Sequence, residues 1–388
     1  MTRDDIRLRL RGTFEQLMSD STVRRRFLSN PHAVLAEFGY PAELVGPNTH
    51  LHLPDRASVY LDPDTLFGPD IPPATDEGVT AEARLVAAGY KPGALLFGSE
   101  QNLAAVSGWA WSQGLTAVLT AHAFGEVLDA GKGGFSNRTG ERRPARSGEG
   151  GRRSMVVASD PGVAALGWLA VLFGWDEILG GVLGYPACCR EFFAQNWAGA
   201  IRDHQGDMAV VSFRASPPGP YDYRYNIFAR YFGTQLLYHF PCSFTCAATR
   251  LVADAYLAGL AANMPRYAAR LLPRLGSPVV FSETDGVFLL TGATSAVNPD
   301  GRTGKVAYEP TRLEATTRET ALAAALLGAN ELTVRPGRVD VDGRVFDAEY
   351  IPFFAEAVAD SSMTTLVPTS QPVRRPASRP LHLPRVDF

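Results

Sequence analysis

The sequence predicts a multidomain α/β or α+β protein, with a helical central layer carrying two cysteine pairs and a small β-containing C-terminal part. Three observations lead there. The chain has 388 residues, 46% hydrophobic and 20% charged, which is ordinary globular composition and enough for two or three domains. Apolar periodicity is helical through much of the chain, then changes beyond Ser277 to short strand-like runs around Asp-Gly turns. All four cysteines fall in two short clusters, Cys188 with Cys189 and Cys242 with Cys246.

Residues 1–60 read as a module of their own. Phe14, Leu17 and Met18, then Phe27 and Leu28, then Val34, Leu35 and Phe38 recur at helical spacing. Asn30-Pro31 reads as an N-cap followed by proline at the first helical position, and Gly39 as the C-cap. Residues 49–54 alternate like a strand, with His50 and His52 on one face, and the Pro- and Asp-rich stretch 62–75 reads as a linker.

Residues 80–275 read as a central α/β domain. Residues 94–98 are a short buried strand, followed by apolar helical material up to Leu128. The glycine-rich, basic stretch 131–154 predicts a mobile loop or lid, and its Gly-Lys-Gly-Gly opening lacks the Walker spacing. Residues 154–158 form a strand, and Asp160-Pro161 opens a helix. The stretch 163–183 approaches the hydropathy of a membrane span, but four glycines and the Asp176-Glu177 pair make it a buried helix pair. Helices are expected from Tyr185-Pro186 through Trp197, over 228–239, and, after the Phe240-Pro241 interruption, from Cys242 to about Met264.

Residues 276–365 read as an α+β part. Hairpins turn at Thr284-Asp285-Gly286 and Val341-Asp342-Gly343, with a helix over 319–329 between them. Residues 366–388, rich in Pro and Arg, read as a tail.

Each cysteine pair follows a proline that can start a helix. Free N–H groups and the positive end of the helix dipole favour thiolate there, and thiolates bind metals. At i, i+4, Cys242 and Cys246 would share a helix face, while Cys188 and Cys189 would diverge by about 100°. Neither pair has the C-x2-C knuckle of structural zinc, so the spacing favours an iron–sulfur cluster, with zinc as the alternative. Thiol–disulfide chemistry and plain burial of cysteine are the remaining readings.

The other candidates surround this centre. His239, three residues before Cys242, is a candidate catalytic proton donor, a ligand or a helix-end histidine. Tyr223, Arg224 and Tyr225, with Tyr221, form an aromatic-basic group suited to binding a substrate or to core packing. Glu283 and Asp285 flank a hairpin turn, where Asp is expected for turn chemistry alone. His122 and His204 have no sequence neighbours that define a role. The chain carries no GxSxG, HExxH, Rossmann or radical-SAM motif.

Two resemblances extend this reading. Gly184-Tyr185-Pro186-Ala187-Cys188-Cys189 and His239-Phe240-Pro241-Cys242-Ser243-Phe244-Thr245-Cys246 resemble the paired GYPxCC and HxPCSxxC elements of the domain of unknown function 483 family. That likeness covers about 155–265 and implies a paired-cysteine site without naming its reaction. The run from Phe27 to Tyr40, NPxAxLxExG at its centre, with the strand that follows, is similar to nitrile-hydratase-like leader peptides of ribosomally made, modified peptides. It spans about 12–54 and implies a module that recognises a partner in the biosynthesis of peptide-derived natural products.

The expected function is therefore a metal-dependent enzyme, an oxidoreductase or lyase. Its substrate would be a peptide or an amino-acid-derived small molecule, and residues 1–60 would be open to a biosynthetic partner protein. The alternatives are a peptide- or partner-binding protein with structural zinc and a thiol-redox protein. The net charge of −3 gives no broad attraction to nucleic acid or to an anionic membrane. The opening residues lack the apolar run of a signal peptide, so the expected compartment is the cytoplasm, where disulfides are rare.

Overall fold

The computed structural model describes residues 80–354 except 133, 135, 137 and 145–151, together with residues 16, 20, 22, 23, 26 and 31–39. Of the first module, helix α1 (Pro31–Glu37) begins on the expected proline, and Gly39 follows it at φ +77°. The strand with His50 and His52, the 62–75 linker and the tail lie outside the described residues.

The remainder is an α+β assembly. Its first layer holds α2 (Ala81–Ala87), β1 (Gly93–Gly98), α3 (Glu100–Ser112), β2 (Thr116–Glu126), β3 (Thr139–Pro144) and β4 (Arg152–Ala158). The four strands form an antiparallel sheet in the order β1-β4-β2-β3. Two expectations fail here. The helical material predicted up to Leu128 stops at Ser112, where Gly114 takes φ +73° and the chain reverses into β2. The lid predicted over 131–154 is interrupted by sheet among the described residues: β3 pairs with β2, and the start of β4 lies between β1 and β2. Lys132, at the start of that stretch, is buried and ion-paired to Asp129 at 2.8 Å and Asp207 at 3.4 Å.

The central layer is helical: α4 (Pro161–Phe173), α5 (Asp176–Val182), α6 (Ala187–His204), α7 (Met208–Arg214), α8 (Ala247–Asn263) and α9 (Pro265–Leu275). Asp160 caps α4 through the amides of Gly162 and Val163, and Gly174 ends it in the left-handed conformation. The apolar stretch is thus a helix pair. Among the described residues no helix is long and apolar enough to cross a membrane.

Between α7 and α8 the chain differs from expectation. The two-residue strand β5 (Tyr221–Asp222) and a 3-10 turn (Tyr223–Tyr225) come first, and a second 3-10 turn (Ile227–Phe232) stands where a helix over 228–239 was predicted. The second turn stops at Gly233, φ +73°. The Asn226 amide anchors this segment by donating to the carbonyls of Arg274, Leu275 and Ser277. The helix predicted from Cys242 begins only at Ala247, because Ser243 and Thr245 close a local turn through their hydroxyls.

The last part holds β6 (Val279–Ser282), β7 (Gly286–Leu290), β8 (Thr294–Val297), β9 (Gly304–Ala307), β10 (Leu313–Ala315), α10 (Ala321–Gly328), β11 (Glu331–Arg335), β12 (Arg338–Val341), β13 (Arg344–Asp347), β14 (Glu349–Ile351) and β15 (Phe353–Phe354). They build one sheet in the order β10-β7-β6-β14 and another in the order β13-β12-β11-β9-β8. Both predicted hairpins are present, as β6–β7 and β12–β13.

The sheet containing β6 and β7 is buried on both faces, which explains its unbroken apolar runs. Val279, Phe281, Val287 and Leu289 pack into the central helical core, while Val280, Phe288 and Leu290 pack into the C-terminal core. Finally β15 runs parallel to β5, tying the chain's return to the segment that leads to the second cysteine pair.

Candidate metal centre

The first pair is delivered by a forced turn. Gly184 sits at φ +75°, and a Cβ there would lie 2.7 Å from the Pro92 ring, so only glycine fits. The carbonyl of Pro186 then accepts from the amides of Cys189 and Arg190, both at 3.0 Å, opening α6 with Cys188 and Cys189 in its first turn.

The second pair is delivered by a loop pinned at its middle. Phe244 is fully buried against Tyr221 and Phe353, with ring centroids 5.2 and 5.3 Å away, and its amide donates to the Ser216 hydroxyl at 2.7 Å. Cys242 and Cys246 flank this anchor. Cys246 is the N-cap of α8, its sulfur accepting from the Thr249 amide at 3.5 Å, and its carbonyl accepts from the Tyr225 hydroxyl at 2.9 Å.

All four sulfurs lie within 4.8 Å of one another. Cys188 to Cys189 is 3.9 Å, Cys188 to Cys246 is 3.7 Å, and Cys189 to Cys246 is 3.8 Å. The shared helix face expected for Cys242 and Cys246 is absent, since only Cys246 touches the helix. Cys188 and Cys189 are both on the helix as expected, yet their divergence does not part the sulfurs, which lie 3.9 Å from each other.

These distances have a chemical meaning. Thiolates around one ion, each about 2.3 Å from it, stand about 3.8 Å apart on the edges of a tetrahedron. The four cysteines could therefore hold a metal ion. The all-sulfur donor set suits a soft or borderline cation rather than magnesium or calcium.

Electrostatics within the set are uneven. Burial pushes the Cys189 and Cys242 thiols up, Cys242 to about 12 with the neighbouring sulfurs adding to it. Burial also opposes ionisation of Cys246, but hydrogen bonds from Thr249 and the neighbouring thiols outweigh it and bring that group down to about 7. Crowded thiols cannot all ionise unaided, and a cation among them removes that conflict.

A chain of hydrogen bonds leads inward from the sulfurs. The Thr249 hydroxyl is 3.3 Å from the Cys189 sulfur and 3.0 Å from Nε2 of His239. His239 itself does not join the sulfurs. It is buried, packs against the Tyr185 ring with centroids 5.4 Å apart, and leaves Nδ1 with no hydrogen-bond partner among the described residues. Burial, then Lys91 and Arg230, hold it down to about 3, so its ring is neutral.

Beyond His239 lies a group of buried charges that the sequence reading missed. Lys91 stands 3.2 Å from Glu82, 4.7 Å over the Tyr185 ring and 5.8 Å over the Tyr238 ring, and donates to the Leu183 carbonyl. Arg230 lies 4.4 Å over the Phe240 ring and donates to the Leu237 carbonyl. Burial raises the carboxyl of Glu82 and lowers Lys91 and Arg230. No local motif marks these residues, which come together only in the fold. Thr249 too becomes recognisable only in the fold, since a helix starting after Cys246 rather than at Cys242 puts its amide at N3, facing the cap sulfur.

The predicted substrate residues are engaged with protein partners. Arg224 is held by Asp222 at 2.9 Å and Asp254 at 2.6 Å, and Arg250 also reaches Asp222 at 2.7 Å. Tyr223 lies under the Arg224 guanidinium at 4.7 Å, and Tyr225 supports the Cys246 carbonyl. Further away, His204 pairs with Glu283 at 2.7 Å, and Asp285 accepts from Thr284 and Ser282 within its turn. The His122 side chain lies outside the described residues.

No protein-family model, no curated protein and no solved structure matches this chain.

Proposed function

We propose that the protein is a metalloprotein whose four cysteines bind one thiophilic ion, and that this ion serves an enzyme acting on a peptide or amino-acid-derived substrate. The observation that carries the first part is the ion-sized set of sulfurs, with edges of 3.7 to 3.9 Å among Cys188, Cys189 and Cys246. Zinc and iron both suit four thiolates. The iron–sulfur cluster expected from residue spacing draws less support, because its thiolates are spread over different irons and do not crowd together.

Two features support an enzyme over a structural ion. The centre reaches the surface at Cys188, an exposed residue, while Cys189 is buried and Cys242 and Cys246 are partly covered. On its inner side, buried groups with displaced pKa values gather around His239, a pattern common at functional sites. The peptide-derived substrate and the partner for residues 1–60 rest on the leader-like sequence of the N-terminal module.

Anaerobic purification followed by metal and acid-labile sulfide analysis tests this reading. One equivalent of zinc or iron without sulfide is expected. Iron with matching sulfide would reinstate the cluster. Metal-free protein in which Cys242 and Cys246 join reversibly would replace the metal by thiol–disulfide chemistry.

A further inference from the structure

The four sulfurs are not equivalent. Cys189 is buried and is approached by two donors, the Thr249 hydroxyl at 3.3 Å and the Cys242 amide at 3.4 Å. Cys246 is partly covered and is approached by the Thr249 amide at 3.5 Å, while Tyr225 fixes its carbonyl. Cys242 is partly covered, and its amide is the one committed to Cys189. Cys188 is exposed, and the hydrogen-bond partners of its sulfur among the described residues are other cysteines, with Cys246 at 3.7 Å and Cys189 at 3.9 Å.

Such donors fix ligand orientation and hold a thiolate in place, so a ligand lacking them dissociates more readily. Exposure then decides what replaces it. A site opened at Cys188 faces solvent, whereas one opened at Cys189 would face packed protein.

We propose that Cys188 is the exchangeable ligand of the centre: an ion held by Cys189, Cys242 and Cys246 stays bound when Cys188 leaves, and the vacated position accepts water or a small thiol from solvent. This rests on the metal reading above and adds a place for an incoming group. Three protein ligands with one open position is the arrangement of a catalytic ion, whereas four closed ligands make a structural one. The incoming group would be a soft donor, with a thiol-bearing amino acid or peptide the class best matched to a thiophilic ion.

Cobalt(II) titration of the full chain tests this, because thiolate-to-cobalt absorption counts the bound sulfurs. The wild-type protein is expected to bind one cobalt with four-thiolate absorption. Cys188→Ala is expected to lose no more than about tenfold in affinity, and Cys189→Ala more than about a hundredfold. Adding 2-mercaptoethanol to cobalt-loaded Cys188→Ala is expected to restore the intensity of the missing thiolate.

A second measurement on the wild type guards against misfolded variants. Iodoacetamide treatment of the cobalt-loaded protein should alkylate Cys188 first, its sulfur forming a bond to carbon as iodide departs, with cobalt retained. If the wild type takes up no cobalt, the metal reading fails and takes the exchange with it. If it binds cobalt but loses it as fully through Cys188→Ala as through Cys189→Ala, or if alkylation of Cys188 releases the ion, the exchange alone is refuted.

Discussion

Thr249 touches both halves of the cysteine centre: its hydroxyl is 3.3 Å from the sulfur of Cys189, and its amide is 3.5 Å from the sulfur of Cys246. It is fully buried one turn into α8, and His239 holds the far side of its hydroxyl. One residue thereby couples two helix starts that are remote in sequence.

Removing that hydroxyl should weaken the centre without emptying it. Thr249→Val is expected to lower metal affinity by about 10- to 100-fold in a competitive chelator assay, with Thr249→Ser close to wild type. Equal affinity in all three proteins would mean that the hydroxyl has no influence on the sulfur.

The Lys91–Glu82 pair gives a sharper stability test. Lys91→Met leaves a buried carboxyl without its cation and is expected to cost about 3–5 kcal/mol in denaturant unfolding. Combining it with Glu82→Leu should recover most of that loss, since two apolar side chains replace the pair. A double variant no more stable than the single one would show that the pair is needed as a pair.

His239 sets a pH dependence whose sign is fixed by its depressed pKa. The folded state keeps the ring neutral down to about 3, while the unfolded chain takes up a proton near 6.5. Stability from the neutral ring is therefore complete above 6.5 and is lost as pH falls towards 3. The wild-type protein should lose up to about 1.4 kcal/mol per pH unit more than His239→Gln across that window, measured by urea unfolding. Parallel curves for the two proteins would contradict a buried neutral ring.

Gly184→Ala addresses the turn that delivers the first pair. The substitution brings a Cβ to 2.7 Å from Pro92 at a φ of +75°. A loss of at least about 1–2 kcal/mol is expected, with metal affinity falling alongside because Cys188 and Cys189 follow directly. Unchanged thermal stability would show that the turn relaxes.

The cysteine centre was legible in the sequence because its residues lie in two short clusters, and because Pro186 does open a helix. What failed was the path between them. Phe228 to His239 carries helical spacing, but Asn226 commits its amide to carbonyls at the end of α9 nearly fifty residues away, and Gly233 ends the turn. Cys242 to Cys246 also has helical spacing, yet the hydroxyls of Ser243 and Thr245 hold the chain in a turn. Side chains competing for backbone groups leave little trace in apolar periodicity. The β6–β7 hairpin was readable, as its Asp-Gly turn is local. The buried pairing of Lys91 with Glu82 was not, since only a tertiary contact makes those charges unusual.

The separation of the two cysteine pairs bears on how the chain folds. Cys188 and Cys246 are 58 positions apart, with an irregular stretch between them. An ion joining them would act as a removable cross-link around that loop, restricting the unfolded chain by about 4 kcal/mol on the entropy model for such closures. Such a clasp could not shut during synthesis until Cys246 had left the ribosome, after every residue of the first sheet has emerged. Stripping the ion would loosen the segment between the two helices first, as faster amide exchange there while β1, β2 and β4 stay protected.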